Sequence, residues 1–535
     1  MEHLELFSLD ISFRLRGTIH HNPKINIIEI SDYDIANIGR WPWKRTWHAA
    51  ITRALSDMGA RAIYFDMVFS EPSEENEDAL FAMAIKESGR VYLPFAFQPP
   101  SLNIDDALLP IEPFAAGIKG TGAINIYPDS DGKLRRTPLV FLDQDKTYMH
   151  VVLKVIADNL GLELEQILPD GIVLAKGADR LKIPTIRRNQ MLVNWTGRWE
   201  DTFKHYSFLQ VIAAYQAMLE NKEPAIGIAD FKDSICLIGM TAIGLYDIKP
   251  VPIQPEYPGI GILANVISNI LDGSFVREVS PWINILILYI MAALPSFLIS
   301  GGNPFRETIA VLSAGFIFCL VNFFLFTNGI RIELFTPLLG LISSYVFVSV
   351  YNSVQISIER QNFFKMSVTD GLTGLFNIRY FKMLIETEII IAKADPDKKF
   401  CVVMTDADHF KKFNDTYGHQ VGDLVLKSIS SVLKSSVRGM DIVARYGGEE
   451  MIILLRGSTL KDGLNVAEKI RHNIESCIVK NEAGNYKVMV SLGISRFKND
   501  DTVDTIIKRA DDALYKAKKN GRNRVETVET ESATT

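Results

Sequence analysis

Three uncharged apolar runs constrain the fold of this chain more than any other feature of its sequence. They cover Pro281–Ser300, Thr308–Thr327 and Leu334–Tyr351. Each is close to the ~20 residues that a helix needs to cross the hydrocarbon core of a bilayer. A buried core helix is the alternative for any one run, but three in succession with short linkers predict membrane crossings. The runs divide the 535-residue chain into N-terminal, membrane and C-terminal parts.

The net charge and the cysteines argue against two classes of function. The formal net charge is only −6, and no basic stripe is present, so nucleic acid is not expected as a partner. The four cysteines, Cys236, Cys319, Cys401 and Cys477, show neither metal-ligand nor paired spacing. No disulfide framework or zinc site is therefore expected.

The first ~275 residues alternate strand-like and helical patterns, which predicts an α/β domain of sensor size. Lys24–Ile30, Thr46–Met58 and Ala60–Phe69 are expected to form a βαβ unit. Further strand-like runs are Val91–Phe97, Gly122–Ile126, Leu192–Trp195 and Ser234–Met240. Polar residues near the strand ends are candidates for a ligand pocket, with cap or turn roles as the alternative: Asp32, Asp66, Asn194 and Asp247.

A hairpin with an acidic tip marks the C-terminal part. Val443–Leu455 contains two strand-like runs separated by Gly447 and Gly448, whose positive φ angles would make a tight turn. The tip then carries Glu449 and Glu450, and adjacent carboxylates repel each other unless a cation is bound. A solvated acidic tip is the alternative, and the turn alone favours it.

A second acidic cluster follows a predicted buried strand. Phe400–Thr405 runs directly into Asp406 and Asp408 at the start of a helix. Carboxylates at the end of a strand, beside an acidic hairpin, suit Mg²⁺, which takes oxygen ligands and shares them with substrate phosphates. Helix capping is the alternative role for Asp408.

Five blocks of the C-terminal part, in a characteristic order and spacing, resemble one known family. They are DGLTGLFNIRYF (370–381), DADHFKKFNDTYGHQVGD (406–423), RYGGEEM (445–451), SLGIS (491–495) and KRADDALYKAKKNGRN (508–523). With these blocks, residues 365–527 resemble the GGDEF diguanylate cyclases. The resemblance implies an α+β ferredoxin-like domain, βααββαβ and then a helix. It also implies that two GTP molecules condense to cyclic di-GMP and two pyrophosphates in a two-fold homodimer. Met451 stands where the family usually has Phe, and its bulk is expected to pack there.

The resemblance assigns roles to individual residues. Asp406, Glu449 and the carbonyl of Ala407 would hold Mg²⁺ or Mn²⁺, and Glu449 is also a candidate acceptor for the 3′-hydroxyl proton. Asn414 and Asp423 would read the guanine edge. The other assigned positions are His419 as a weaker substrate contact; Lys411, Lys518 and Arg522 facing phosphates, with Lys411 also a catalytic candidate; Gly447 and Gly448 at the substrate; and Arg438 and Asp441 of an RxxD motif as an allosteric product site.

Simpler alternatives exist for several of these positions. Lys518 and Arg522 could form a solvated basic helix end. An RxxD motif by itself usually means surface charge. Asp370, Gly371 and Gly374 are expected to shape the entry turn of the domain.

The N-terminal part resembles a sensory family. The matching blocks are SLDISFRLRG (8–17), INIIEISD (25–32), GARAIYFDMVFSEPS (59–73), GAINIYPDSDGKLRRTPL (122–139), ICLIGMTAIGLYDIKPVPI (235–253) and PGIGILANVISNIL (258–271). With these blocks, residues 4–275 resemble the second type of CHASE domain. The resemblance implies an extracytoplasmic sensor for an unknown ligand, placed before membrane helices and a signalling output domain.

The predicted organisation follows from these parts. It comprises a sensor (4–275), three transmembrane helices (281–300, 308–327 and 334–351), a helical linker (352–369), a GGDEF domain (370–527) and a disordered tail (528–535). The linker carries an apolar stripe that would pair two copies as a parallel coiled coil or simply end an amphipathic helix. Because GTP is cytoplasmic, the resemblance implies a multi-pass protein of the bacterial inner membrane with its sensor outside.

Two hypotheses of function remain open from the sequence. The first is a membrane-bound sensory diguanylate cyclase. The second is an inactive receptor of the same fold that binds cyclic di-GMP or a partner. An adenylate-type cyclase is a distant third, because the guanine-reading pattern is intact. Residues 1–24 contain no apolar run long enough to start export. A membrane helix upstream of Met1, or an unusual route of translocation, is therefore expected.

Overall fold

A computed structural model describes residues 1–143, 146–186, 189–244, 247–299, 302–395, 397–481 and 484–529. The chain separates into two compact units, Met1–Val350 and Tyr351–Thr535. From residue 530 onward, the tail predicted at 528–535 lies outside the described residues.

The first unit contains helices and strands in alternation, as its sequence predicts. Its helices are α1 (Glu2–Arg16), α2 (Asp32–Ile38), α3 (Arg45–Asp57), α4 (Glu75–Ser88), α5 (Glu112–Ala115), α6 (Val151–Leu160), α7 (Phe208–Leu219), α8 (Gly259–Leu271), α9 (Pro281–Leu298), α10 (Pro304–Thr327) and α11 (Phe335–Val368), the last of which continues into the second unit. Its strands are β1 (Ile25–Ile30), β2 (Ala62–Phe65), β3 (Val91–Phe95), β4 (Gly120–Ala123), β5 (Arg136–Pro138), β6 (Val140–Asp143), β7 (Lys146–Met149), β8 (Glu163–Leu168), β9 (Gly171–Lys176), β10 (Asp179–Pro184), β11 (Gln190–Leu192), β12 (Lys204–Ser207), β13 (Ile235–Met240), β14 (Ile248–Lys249), β15 (Tyr257–Pro258), β16 (Arg277–Glu278) and β17 (Ile330–Arg331).

Six parallel strands form the central sheet of this unit, in the order β12-β1-β13-β2-β3-β4. Successive residues of a strand point to opposite faces, so Ile25 and Ile27 join one buried cluster while Ile28 and Ile30 join another. Helices α6 and α8 pack on the first face, and α3, α4 and α7 pack on the second. Burial on both faces explains why these strands are near-continuous apolar runs.

The predicted βαβ unit is present, but its two strands are not neighbours. Strand β13, which comes much later in the chain, lies between β1 and β2 and pairs with both. Of the strand predicted at Leu192–Trp195, only Leu192 lies in a strand, β11, which pairs with β5 in a ribbon outside the central sheet. Apolar periodicity marks a strand without identifying its partner, which accounts for both differences.

Helices α9, α10 and α11 are the three, among the described residues, that are long and apolar enough to cross a membrane. Helix α1 packs where α10 ends and α11 begins. Phe13 meets Phe326 edge-on with ring centroids 5.0 Å apart. The Glu5 carboxylate accepts hydrogen bonds of 2.8 Å from the backbone N–H groups of Leu334 and Thr336. Glu5 therefore satisfies free donors at the N-terminus of α11.

The second unit has the ferredoxin-like plan that the sequence predicts, with additions at both edges. Its further elements are β18 (Phe376–Asn377), α12 (Ile378–Ala394), β19 (Phe400–Ala407), α13 (Phe410–Tyr417), α14 (His419–Ser436), β20 (Ile442–Gly447), β21 (Glu450–Arg456), α15 (Leu460–Ser476), β22 (Val479–Asn481), β23 (Gly484–Tyr486), β24 (Val490–Arg496), α16 (Val503–Lys519) and β25 (Val525–Thr527). The sheet order is β18-β20-β21-β19-β24-β25. The four central strands are antiparallel, and β19 is buried along its whole length.

Helices cover both faces of this second sheet. Val403 and Ile453 pack with α14 and α15, whereas Val402 and Ile452 pack with α12 and α16. The carboxyl end of β19 is thereby held next to the turn between β20 and β21. The fold thus brings the two acidic stretches of the sequence together.

Candidate functional site

The turn between β20 and β21 differs in one detail from its prediction. Gly448 has the positive φ that a tight turn needs, at 53°. Gly447, by contrast, is the last residue of β20 and pairs with Glu450 beyond a register shift. The prediction of positive φ at both glycines is therefore wrong for Gly447. The two-residue turn consists of Gly448 and Glu449, and Glu450 begins β21.

Arg445 holds this turn in place. Its Nε and Nη2 donate to the Gly448 carbonyl at 2.9 and 2.7 Å, and its Nη1 contacts both carboxylate oxygens of Asp370 at 3.1 Å. Burial raises the pKa of Asp370, but hydrogen bonds from Thr373 and the charge of Arg445 outweigh it and hold that pKa below its usual value. Asp370 therefore shapes the entry turn, as expected, and also links it to the acidic hairpin.

Asp406 is the most enclosed carboxylate of the site, with 7% of its surface exposed. It lies in β19 directly opposite Glu450 on one side and Ser491 on the other. Its Oδ2 is 2.9 Å from the Nζ of Lys518 on α16. Burial raises the pKa of Asp406, Lys518 opposes this effect, and the charge of Glu449 adds to it. Lys518, expected to face phosphates, here pairs with Asp406.

Glu450 was predicted to lie at the hairpin tip. It is instead the first residue of β21 and lies opposite Asp406. Burial raises its pKa, and the charge of Asp406 raises it further. Glu450 therefore belongs to the same electrostatic cluster as Asp406 and Glu449. Successive side chains of a strand point to opposite faces. This alternation, counted from a strand that begins at residue 450, was the sequence signal that could have identified Glu450. Among the described residues, no three His, Cys, Asp or Glu side chains form a complete metal site, so a cation here would need further oxygen ligands.

Asp408 does not cap the following helix, contrary to the capping alternative. The N-cap position of α13 is His409, which has a φ of 58° and makes no side-chain cap. The Asp408 carboxylate instead accepts from the Ser491 Oγ at 2.7 Å and from the Asn523 N–H at 2.9 Å. It thus ties the site strand to the loop that contains Arg522.

The proposed guanine-reading residues lie on two packed helices. Asn414 is on α13, whereas His419 and Asp423 are exposed on α14. A Cβ atom on Gly422 would lie 1.9 Å from the Asn414 Oδ1, so a larger residue there would displace this amide. The Asn414 Oδ1 is buried and has no hydrogen-bond partner in the described part of the chain. This oxygen packs against Gly422, so it would bond a ligand only after the side chain rotates.

The remaining predicted site residues lie either close to the acidic hairpin and Asn414 or at the far end of β20. Lys411 is exposed on α13, close in the chain to Asn414, and Ala407 is the buried last residue of β19. The RxxD motif lies away from the turn, at the opposite end of β20. There the Asp441 carboxylate accepts from the backbone N–H of Arg438 at 2.9 Å and of Arg456 at 3.0 Å.

Two family models match the chain. Residues 1–298, more than half of its length, match the CHASE2 domain. Residues 367–524 match the domain described as "Diguanylate cyclase, GGDEF domain". The chain belongs to the CHASE2 domain family and carries a GGDEF domain.

Two relatives each match about a third of this CHASE2–GGDEF protein. Diguanylate cyclase A of Treponema denticola is 36% identical over 183 residues, which are 34% of this chain and 49% of that protein. The response regulator PleD of Caulobacter vibrioides is 38% identical over 164 residues, 30% of this chain and 36% of that protein. The chain thus spans half or less of these relatives' length. A crystal structure of the coiled coil and GGDEF domain of DgcB from Caulobacter crescentus, in complex with c-di-GMP, is 29% identical, with a TM-score of 0.33. It covers 35% of this chain and 98% of that one.

In the GGDEF domain the departure at Met451 is accommodated as expected. Its side chain is 1% exposed and belongs to the core cluster that includes Ile453 and Leu455. An unbranched thioether fills such a position without strain.

In the CHASE2 domain the four polar candidates have separate hydrogen-bond or ion-pair partners among the described residues, and the charge of Asp247 helps to raise the pKa of Asp66. The Asn194 Nδ2 donates to the Ser274 carbonyl and its backbone N–H to Asn269, so it serves packing. Asp32 accepts from the Ile243 N–H, and Asp247 pairs with Lys249. Asp66 stands out, because burial raises its pKa to about 7 while the Tyr64 hydroxyl donates to it at 3.1 Å.

Proposed function

We propose that this chain is a membrane-bound sensory diguanylate cyclase. One observation carries the proposal. Asp406 lies near the end of a buried strand, directly opposite Glu450 of an acidic hairpin, and the neighbouring helix pair leaves the Asn414 acceptor without a partner in the described part of the chain. Asp406 and the acidic hairpin suit a divalent cation with phosphates, and the Asn414 amide suits the edge of a base.

The residues present fit a divalent metal ion. The pKa values of Asp406 and Glu450 are both raised, first by burial and then by neighbouring carboxylates, and such excess negative charge is what a bound cation neutralises. Asp406, Glu449 and the Ala407 carbonyl would hold Mg²⁺ or Mn²⁺ through oxygen, the ligand atom that hard cations prefer. When bound, the metal would neutralise charge on the phosphates of GTP.

The remaining side chains would position the nucleotide. The Asn414 amide and the Asp423 carboxylate would bond the guanine edge, which offers both acceptors and donors, with His419 as a weaker contact. Lys411 and Arg522 would neutralise phosphate charge. In this role Lys518 exchanges its Asp406 partner for a phosphate oxygen.

The reaction needs two copies of the chain. Each GGDEF domain holds one GTP, and the 3′-hydroxyl of each nucleotide attacks the α-phosphorus of the other. Two phosphodiester bonds form, two pyrophosphates leave and cyclic di-GMP is released. Glu449 would accept the hydroxyl proton. A two-fold axis places both pairs of reacting atoms in equivalent positions.

The membrane helices would place the two domains on opposite sides of the bacterial inner membrane. Because GTP is cytoplasmic, an odd number of crossings through α9, α10 and α11 leaves the CHASE2 domain outside, where it would respond to a ligand. Alkaline phosphatase fused after Asp272 is expected to be active, and a fusion after Glu529 is expected to be inactive. The reverse pattern would overturn the topology.

The experiment that tests the enzymatic proposal is product identification. The full chain, purified in lipid nanodiscs, is incubated with GTP and Mg²⁺, and the products are identified by mass spectrometry. Cyclic di-GMP and pyrophosphate in a 1:2 ratio are expected from the stoichiometry of the reaction. Asp504→Asn, which alters an exposed aspartate of the same unit, is the matched control for Asp406→Asn. A chain that binds cyclic di-GMP but turns over no GTP would instead be a receptor.

A further inference from the structure

The CHASE2 domain contains a cavity of about 500 Å³ at one end of its parallel sheet. The loops that follow β3 and β4 form part of its wall, and Tyr127 belongs to the second of these loops. Pro138 of β5, Phe141 of β6 and Gln190 of β11 form another part. The cavity therefore lies beyond the carboxyl ends of two neighbouring parallel strands, which is where open α/β sheets bind their ligands.

The lining of the cavity defines the chemistry that it would accept. Most of the described lining residues are apolar, including Phe141 and Leu142, and none of them carries a formal charge. Tyr127, Asn189 and Gln190 supply hydrogen-bonding groups. Sites for small molecules typically have volumes of about 300–1,000 Å³ and combine apolar walls with a few polar groups. An ion would have to leave water without an opposite charge among these residues, which is costly.

One wall of the cavity is connected to the helices that follow the domain. In the ribbon of β5 and β11, Pro138 and Gln190 face each other at the cavity, and Arg136 pairs with Leu192 at the other end. The adjacent Arg135 is fully buried and ion-paired with Asp10 of α1 at 2.7 Å. Arg136 also lies 3.9 Å from Glu278, which pairs with Arg331 of β17, shortly before α11. A ligand that moves the ribbon would therefore strain contacts at α1 and at the start of α11.

We propose that this cavity is the ligand site of the CHASE2 domain and that it takes a small, uncharged, mainly apolar molecule with a hydrogen-bonding group. The assignment of this ligand as a signal rests on the proposed sensory function. Binding itself does not depend on GTP turnover, so a direct binding measurement fails or succeeds independently of the cyclase reaction.

Three naphthalene probes of similar size test the proposal. 1-Naphthol is uncharged, naphthalene-1-sulfonate is an anion and 1-naphthylmethylamine is a cation near neutral pH. Charged probes are included because residues 144–145 and 187–188, next to lining residues in the chain, lie outside the described residues. Binding to the full chain in nanodiscs is measured by equilibrium dialysis against empty nanodiscs. Saturable binding of 1-naphthol is expected, with each ionic probe at least about tenfold weaker, or ~1.4 kcal/mol.

Variants locate the binding. Leu142→Trp fills the cavity from β6, and Ser101→Trp fills it from the loop after β3; each is expected to weaken 1-naphthol binding by about tenfold or more. Leu219→Trp, at an exposed leucine of α7 in the same unit, is the matched control and should bind as the parent does. Circular dichroism verifies that each variant is folded. Absence of saturable binding, equal binding by folded cavity-filling variants, or an ionic probe that binds as tightly as 1-naphthol would each overturn the proposal.

Discussion

At the scale of single residues, two of the carboxylates with raised pKa values, Asp406 and Asp66, affect the chain in different ways. Asp406 is buried among other acids, and its ionised form becomes favourable when a cation is present. Asp66 is half-buried in the sensor, where the Tyr64 hydroxyl donates a hydrogen bond to its carboxylate. The charged form of Asp406 is therefore electrostatically unfavourable, and substrate and metal would relieve this. Asp66 makes the stability of the sensor depend on pH.

Asp406→Asn and Glu449→Gln are expected to lower the rate of cyclic di-GMP formation by at least about a hundredfold, because each removes a metal-binding charge. The secondary structure should remain unchanged, since both replacements are nearly isosteric. Turnover of GTP is the measurement, with circular dichroism as the check on folding. Asp504→Asn should retain the parental rate. Activity within a few-fold of the parent in either site variant would contradict the assignment of the metal ligands.

Asp66→Asn is expected to stabilise the sensor more at about pH 8 than at about pH 5. A folded-state pKa of about 7 lies above the unfolded value of 3.8. The stability associated with the protonated form is therefore complete below the unfolded pKa and is lost as pH rises through the folded pKa. The gain at the higher pH should exceed that at the lower pH by about 2 kcal/mol.

Tryptophan fluorescence measures this difference selectively. All six tryptophans of the chain lie between Trp41 and Trp282, so their emission during denaturation reports on the first unit. Asp179→Asn, at an exposed aspartate of β10, serves as the control and should show no such pH dependence. An equal effect of Asp66→Asn at both pH values would contradict the raised pKa.

At the scale of secondary-structure elements, the acidic hairpin depends on contacts outside its own strands. Arg445 bonds the turn carbonyl of Gly448 and the carboxylate of Asp370 at once. Arg445→Lys and Asp370→Asn are each expected to slow turnover by about tenfold, because either change frees the turn that carries Glu449. The double variant should be no slower than the worse single variant, since both remove one interaction. Additive losses in this double-mutant cycle would show that the two residues act separately.

The RxxD motif supports a prediction about feedback. Asp441 already accepts two backbone hydrogen bonds, whereas the side chain of Arg438 is exposed and offers a guanidinium fork to a phosphate. Arg438→Ala is expected to raise the concentration of cyclic di-GMP that half-inhibits turnover by about tenfold, the effect of losing ~1.4 kcal/mol of binding. The initial rate should change little. Inhibition curves that coincide for variant and parent would reject this site.

Local patterns predicted these elements better than they predicted their contacts. The five blocks of the GGDEF domain placed β19 and the acidic hairpin correctly. The pairing of Lys518 with Asp406 and the bonds from Asp408 to Ser491 and Asn523 join residues distant in the chain. Such contacts depend on how elements pack, which periodicity does not encode. The register shift that places Gly447 in β20 also depends on packing and is not encoded by periodicity.

At the scale of the whole molecule, the apolar runs predicted the three apolar helices, and the two family resemblances predicted the order of the domains. They did not predict the buried ion pairs of the first unit, where Asp10 of α1 meets the fully buried Arg135. Buried charges of this kind must be paired, because an isolated one is very costly. The structure therefore adds to the sequence a connection from the sensor core to α1 and to β17, shortly before α11.

Two GGDEF domains are expected to make one cyclic product jointly, at sites built around Asp406. Mixed dimers test this expectation most directly. Parent and Asp406→Asn chains with different affinity tags are co-expressed, and the mixed species is isolated by two successive purifications. Because each protomer forms one of the two phosphodiester bonds, the mixed dimer is expected to stop at the linear dinucleotide and to yield almost no cyclic di-GMP. Cyclic di-GMP made at half the parental rate would contradict the account.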